Sequence, residues 1–236
     1  MKPEERLIIS LDLEPHKALE LVSRTPQGPS FKVGMKLFTS TGPNIVRKIQ
    51  EHGFRVFLDL KFHDIPNTVA DAAEEAANLG VWMFNIHTSG GPAMIRMVRE
   101  RLDNWSQKTG RNTPILLGVT LLTSIDEEQM ALIGLPGKPA ETVINWTELA
   151  IKNGCNGVVC SPAEIKTLRE HFGLDFIAVT PGIRRNSDAL GDQKRVATPK
   201  SAINDGATHI VVGRPIITDL DPSQATLDFI KEIENV

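Results

Sequence analysis

Residues 57–68 read "FLDLKFHDIPNT". Leu58, Leu60 and Phe62 alternate with Asp59, Lys61 and His63, and a further acid, Asp64, precedes Pro66. A period of two is that of a strand, whose successive side chains go to opposite faces. An acid and a base therefore share one face of a segment whose other face is built for burial. An isolated buried charge is costly, so such a face must be paired, wet or functional. Pro66 cannot extend a ladder, so the strand ends before it, and Asn67 or Thr68 is placed to cap a following helix.

Similar aliphatic and β-branched runs recur on either side. Upstream are "RLIISLDL" (6–13) and "SFKVGMKL" (30–37), and the quoted stretch completes "RVFLDLK" (55–61). Downstream are "WMFNIHT" (82–88), "PILLGVT" (114–120), "GVVCS" (157–161), "DFIAVTPG" (175–182) and "HIVVGRP" (209–215). Between them lie segments with apolar residues three and four apart, clearest in "GPNIVRKIQEHG", "NTVADAAEEAANLG", "PAMIRMVRERLDNW" and "SPAEIKTLREHFG". Several open on Pro, Ser or Asn and close on Gly, as helices do. Eight strands alternating with helices in 236 residues predict an α/β chain folded as one (β/α)8 barrel domain spanning 1–236. A doubly wound open sheet is the alternative, but no G-x-G-x-x-G follows the first strand, and no linker divides the chain.

Composition narrows the function. Hydrophobic residues make up 41% and charged residues 23%, with a formal net charge of −3, which gives no general electrostatic case for nucleic acid or an anionic membrane. No run approaches the roughly 18 to 20 apolar residues of a membrane span. The N-terminal "MKPEERLIIS" has acids where a secretory signal has bases, so a cytoplasmic location is expected. The two cysteines, Cys155 and Cys160, match no common zinc spacing and read as buried thiols.

In a barrel of this kind the site lies at the C-terminal ends of the strands. Asp59 and Lys61 close the third strand towards the mouth, and Asp12 ends the first in the same sense. Lys32 is in phase with Gly34, whose missing side chain leaves room for it. Asp59 and Lys61 alone would suit a structural ion pair equally well. With Lys32, Asp12 and Asp64 added, acids and bases gather in one cavity and perturb one another's ionisation, as functional groups do. His63, out of phase, reads as a packing histidine or as one that supports the site residues from behind. The ends of the seventh and eighth strands carry Gly182 with Arg184 and Gly213 with Arg214. Two glycine–arginine pairs at the strand ends that commonly hold phosphate in such barrels outweigh two coincidental turns. The polar loop 183–196 is either disordered or a lid, and Gln193 would reach a ligand if that loop folds down. "HTSGG" at 87–91 reads as a turn rather than an anion nest.

These stretches also resemble a known family. "DLKFHDIPNT", "FKVGMKLF", "TPGIR", "DQKRVATPKSAI" and "VVGRPI" together look like bacterial orotidine 5'-phosphate decarboxylases, in order and over essentially the whole chain. D-x-K-x-x-D alone is shared with related sugar-phosphate barrels; its combination with Lys32 is more specific, since the related sugar-acid decarboxylases tend to carry an acid there and use a metal. The resemblance implies conversion of orotidine 5'-phosphate to UMP and carbon dioxide without cofactor or metal. It implies that Lys61 protonates carbon 6 of the pyrimidine and that Asp59 adjoins the substrate carboxylate. Lys32 and Asp12 match ribose positions, with Lys32 also bracing Asp59, and Thr123 matches a pyrimidine contact. Arg184, Gln193, Gly213 and Arg214 match phosphate-side contacts. Asp64 and Thr68 match residues supplied across a homodimer interface to the neighbouring site. Lys36, where an acid is more usual, and Ser10, where alanine is, depart from the pattern outside its motifs.

Overall fold

The computed structural model describes residues 1–185 and 197–234. Strands β1 (Leu7–Ser10), β2 (Ser30–Gly34), β3 (Val56–Phe62) and β4 (Met83–His87) form the first half of a closed barrel. Strands β5 (Ile115–Val119), β6 (Gly157–Val159), β7 (Ile177–Thr180) and β8 (His209–Val212) form the second. Each is parallel to its neighbours, and the barrel closes where Leu7, Ile8 and Ile9 of β1 lie beside Ile210, Val211 and Val212 of β8. The expected (β/α)8 architecture is the observed one.

Around the barrel run α1 (Pro15–Arg24), α2 (Met35–Thr41), α3 (Asn44–Glu51), α4 (Pro66–Asn78), α5 (Gly91–Thr109) and α6 (Glu127–Leu132). They continue with α7 (Pro139–Lys152), α8 (Pro162–Phe172), α9 (Pro199–Asn204), α10 (Arg214–Ile217) and α11 (Pro222–Glu234). No helix among the described residues is long and apolar enough to cross a membrane.

Burial on both faces explains why the strands read as near-continuous apolar runs. Inside the barrel Ile8, Phe57, Met83, Leu117, Val179 and Val211 pack together. A second, larger core fills the space between strands and helices, with Ile9, Phe31, Phe84, Ile210 and Phe229 fully buried. Where β6 meets β7, a Cβ on Gly157 would lie 1.9 Å from the carbonyl oxygen of Ile177, so only glycine lets these strands approach. The N-terminal end of the barrel is plugged by a polar stack: the Arg55 guanidinium lies 4.3 Å from the Trp82 ring and the His209 ring 5.3 Å from it. Burial, then the charges of Arg55 and Arg6, push the His209 imidazole down to about 4. Cys155 and Cys160 are buried and unbridged, and burial raises each thiol to about 12, which keeps them protonated.

Several strands end earlier than their apolar pattern suggests. The run 30–37 reads as one strand, but the chain turns into α2 at Met35, which is 58% exposed while Leu37 is buried. Alternation persists there because a single helical turn can also separate one buried from one exposed apolar residue. At α4 the expected cap by Asn67 or Thr68 is replaced by Pro66 in the first turn, with Ile65 extended before it and no side-chain cap. Proline needs no partner for the amide proton it lacks. Asn67 instead donates to Asp71 one turn on, and Arg101 of α5 binds Asp71 and Glu74.

Candidate active site

The functional end of β3 departs from ideal strand geometry. Leu58 pairs with Phe84 of β4, but the next pair is Phe62 with Ile86, so β3 is bulged between them. Within the bulge Lys61 takes a φ of 51°, the single non-glycine residue with positive φ among those described. That conformation costs an L residue about 1–3 kcal/mol and persists only where the surroundings impose it. Here they do: the Lys61 amide, turned out of the ladder, donates to Oδ1 of Asn85 at 2.8 Å.

The result is a chain of alternating charge. Lys61 Nζ donates to Asp59 Oδ1 at 2.6 Å, and Asn85 Nδ2 donates to the same oxygen at 2.7 Å. Lys32 Nζ lies 3.2 Å from Asp59 Oδ2 and 3.8 Å from Asp12 Oδ1. A Cβ on Gly34 would meet that ammonium at 3.3 Å, so glycine does leave the room expected of it. Burial pushes the Asp59 carboxyl up, but the charges of Lys32 and Lys61 and the hydrogen bonds of Lys61 and Asn85 outweigh it and hold the group at about 2. Asp59 is thus ionised at neutral pH although it is 8% exposed. Beside this array the His63 and His87 rings stand 5.2 Å apart. Burial, then His63 and Lys61, lower the His87 pKa.

Across the mouth, Gly182 (φ 83°) turns the chain out of β7, and Ile183 bridges to Ala197. The Arg184 amide donates to the Ala197 carbonyl at 3.0 Å. Arg184 is buried, whereas Arg214, opening α10 directly after Gly213, is exposed. Between the two sides lies a cavity of about 620 Å³, within the range of small-molecule sites. Asp12, Lys32, Asp59 and Lys61 line one wall, Gly182, Arg184, Gly213 and Arg214 the other, and Phe57, Val159 and Val211 the floor. Seven of the expected site residues therefore meet in one cavity: Asp12, Lys32, Asp59, Lys61, Arg184, Gly213 and Arg214.

Three do not line it. Asp64, expected among the cavity charges, is exposed, and its Oδ1 accepts the Ile65 amide at 2.6 Å. The strand ends at Phe62 and the chain turns over the rim, carrying Asp64 outside the cavity of its own barrel. Thr68, in the first turn of α4, is likewise exposed. Thr123 sits in an exposed turn between β5 and α6 and does not border the cavity. Gln193, and with it most of the 183–196 loop, lies outside the described residues. The 87–91 stretch is a short helical turn (Thr88–Gly90) leading into α5, as the turn reading had it.

Two residues that support the site, Asn85 and Ser10, do not stand out in the sequence. Asn85 was legible only as a polar residue at an inward position of an apolar strand. Ser10, noted as a departure lying outside the motifs, is at the site after all: it borders the cavity and its Oγ donates to Asp12 Oδ2 at 2.7 Å. The other departure, Lys36, pairs with Glu14 at 2.6 Å in an exposed position.

A closed parallel barrel with a buried, charge-alternating cavity at its strand ends defines an enzyme-like (β/α)8 class whose site faces the C-terminal rim. Within that class, residues 5–229 match the model of the "Orotidine 5'-phosphate decarboxylase / HUMPS family", and the chain belongs to that family. It is 46% identical over 233 residues to an orotidine 5'-phosphate decarboxylase of Hahella chejuensis, covering 98% of each chain. With that of Actinobacillus succinogenes it is 43% identical, covering 99% of this chain and 100% of the other. A crystal structure of orotidine 5'-phosphate decarboxylase from Lactobacillus acidophilus superposes with a TM-score of 0.86 at 38% identity, covering 96% of this chain and 98% of that one.

Proposed function

We propose that this chain is a cytoplasmic, single-domain orotidine 5'-phosphate decarboxylase, converting its substrate to UMP and carbon dioxide in the last step of UMP biosynthesis, with no cofactor or metal. The observation that carries the reading is the Lys32–Asp59–Lys61 array, which holds an ionised carboxylate between two ammonium groups in a cavity facing two arginines.

The bond from carbon 6 to the carboxylate breaks, the electron pair stays on carbon 6, and carbon dioxide leaves. The ring cannot delocalise that pair, so at the demanding end of catalysis roughly 20 kcal/mol must come from the site. Two unit charges about 4 Å apart interact by about 4 kcal/mol at an effective dielectric of 20. Lys61 stabilises the carbanion by an amount of that order and then delivers its proton to carbon 6, leaving a neutral amine that solvent reprotonates. This term grows only as charge develops, so it accelerates the step rather than merely tightening binding. Asp59 adjoins the substrate carboxylate and, through its 2.6 Å contact, holds the Lys61 ammonium in place. Lys32 neutralises the other carboxylate oxygen and, with Asp12, holds the ribose.

Arg184, Arg214 and the backbone at Gly213 grip the phosphate, with Gln193 joining from the 183–196 loop. Phosphate binding energy, remote from the reacting carbon, goes into positioning the ring and excluding water. Asp64 and Thr68, exposed on the rim, are offered to the site of a second copy in a homodimer, and Thr123 contacts the pyrimidine once ligand is bound. The test is the ultraviolet absorbance of orotidine 5'-phosphate mixed with purified protein in excess EDTA. Decay to the UMP spectrum is the expected result; an unchanged spectrum with folded protein overturns the reading.

A further inference from the structure

We infer that Asn85 is a positioning residue for the proton donor: a single amide that holds both the backbone of Lys61 and the carboxylate on which its ammonium rests. The inference deepens the decarboxylase reading and rests on it.

The β3 bulge creates the need. Between the Leu58–Phe84 and Phe62–Ile86 pairs, β3 has three residues and β4 has Asn85 alone. The Lys61 amide points away from any ladder carbonyl, and Asn85 Oδ1 takes its place at 2.8 Å. A buried amide left without an acceptor would carry a desolvation penalty and would not hold Lys61 left-handed. The other half of the side chain faces Asp59, where Nδ2 donates at 2.7 Å to the oxygen that also accepts from Lys61 Nζ. Lys61 is therefore held at both ends of a closed ring, from its own amide through Asn85 and Asp59 back to its own ammonium. Asn85 is 1% exposed, so water does not compete for either bond.

Few side chains can serve. The amide orientation is dictated, because Lys61 N–H can only donate and the ionised Asp59 can only accept. Aspartate would keep the bond to Lys61 but could not donate to Asp59, and would add a second carboxylate to the array. Alanine would remove both bonds. Asn85 holds Lys61 and Asp59, on the wall opposite Arg184 and Arg214, so its loss should leave the phosphate grip intact.

The experiment is steady-state kinetics on orotidine 5'-phosphate for the wild type, Asn85→Ala and Asn85→Asp, with circular dichroism and thermal melting of each. Misplacing a reacting group by about 1 Å costs about 10²-fold, so kcat is expected to fall by that factor or more in both variants while KM stays within about threefold. A purely structural Asn85 would lower the melting temperature and leave kcat per folded molecule unchanged. Asn85→Asp, equal in size and retaining the Lys61 bond, covers the case in which Asn85→Ala fails to fold. A folded variant with kcat within about threefold of wild type, or with its loss confined to KM, overturns the inference and leaves the decarboxylase reading standing. A wild type that leaves the substrate intact overturns both.

Discussion

Lys61 and Asp59, two residues apart on β3, meet through a 2.6 Å contact between Nζ and Oδ1 at a point where the backbone of Lys61 is left-handed. In a regular strand, residues two apart share a face with their Cα atoms separated by about 6.6 Å. The proton donor rests on this carboxylate within the bulge, and Lys32 fixes the opposite oxygen at 3.2 Å. Lys61→Ala should therefore lose general-acid catalysis and carbanion stabilisation together, a drop of more than about 10⁴-fold in kcat. Circular dichroism should remain native. Near-wild-type turnover by this variant would remove Lys61 from the chemistry.

Two buried groups should make the protein acid-sensitive in two stages. His209 is depressed from 6.5 to about 4 in the fold, so its contribution is complete above 6.5 and disappears as pH falls towards 4. That gap corresponds to about 3 kcal/mol. Asp59, depressed from 3.8 to about 2, contributes about 2 kcal/mol that is complete above 3.8 and lost as pH falls towards 2. Urea unfolding at a series of pH values should show stability falling first between 6.5 and 4. In His209→Asn that first decline should flatten; an unchanged slope would show that another group causes it.

The phosphate side is separate from the charge array, so its variants should read differently. Arg214→Ala removes a charge-assisted contact worth about 1.5–3 kcal/mol. It is expected to raise KM by roughly 10- to 100-fold and also to lower kcat, because remote binding energy positions the ring. Full turnover at saturating substrate would show that the phosphate grip supplies binding alone.

Exposure of Asp64 and Thr68 on the rim makes the dimer reading testable by complementation. Lys61→Ala and Asp64→Ala should each be nearly inactive alone. Mixed in equal amounts and allowed to exchange subunits, they should regain up to about a quarter of wild-type activity, because half the dimers then hold one intact site. No recovery on exchange would place Asp64 outside the partner's site.

The repeating strands and helices were legible because a barrel buried on both faces needs near-continuous apolar runs separated by capped, amphipathic segments. The charged mouth was legible for a related reason. Acids and bases at inward positions of buried strands, as at Lys32 and Asp59, conflict with local burial rules, and such conflicts mark sites. Glycine–arginine pairs at Gly182/Arg184 and Gly213/Arg214 stood out against the same frame. Asn85 did not, since one uncharged amide at an inward position of "WMFNIHT" breaks the burial pattern far less than a charge does. Ser10 escaped because a small polar residue at a strand end breaks no rule.

Composition and periodicity thus determined the barrel, the face of each strand and the two walls of the cavity, because side-chain direction follows from a local period. Tertiary structure alone decided what depends on partners distant in sequence. The bulge opposite β4 contains the left-handed Lys61, Asn85 takes up the Lys61 amide, and Asp64 is carried over the rim. Each is a matter of register between strands or of where a chain leaves the sheet, and neither is encoded in the alternation of a single segment.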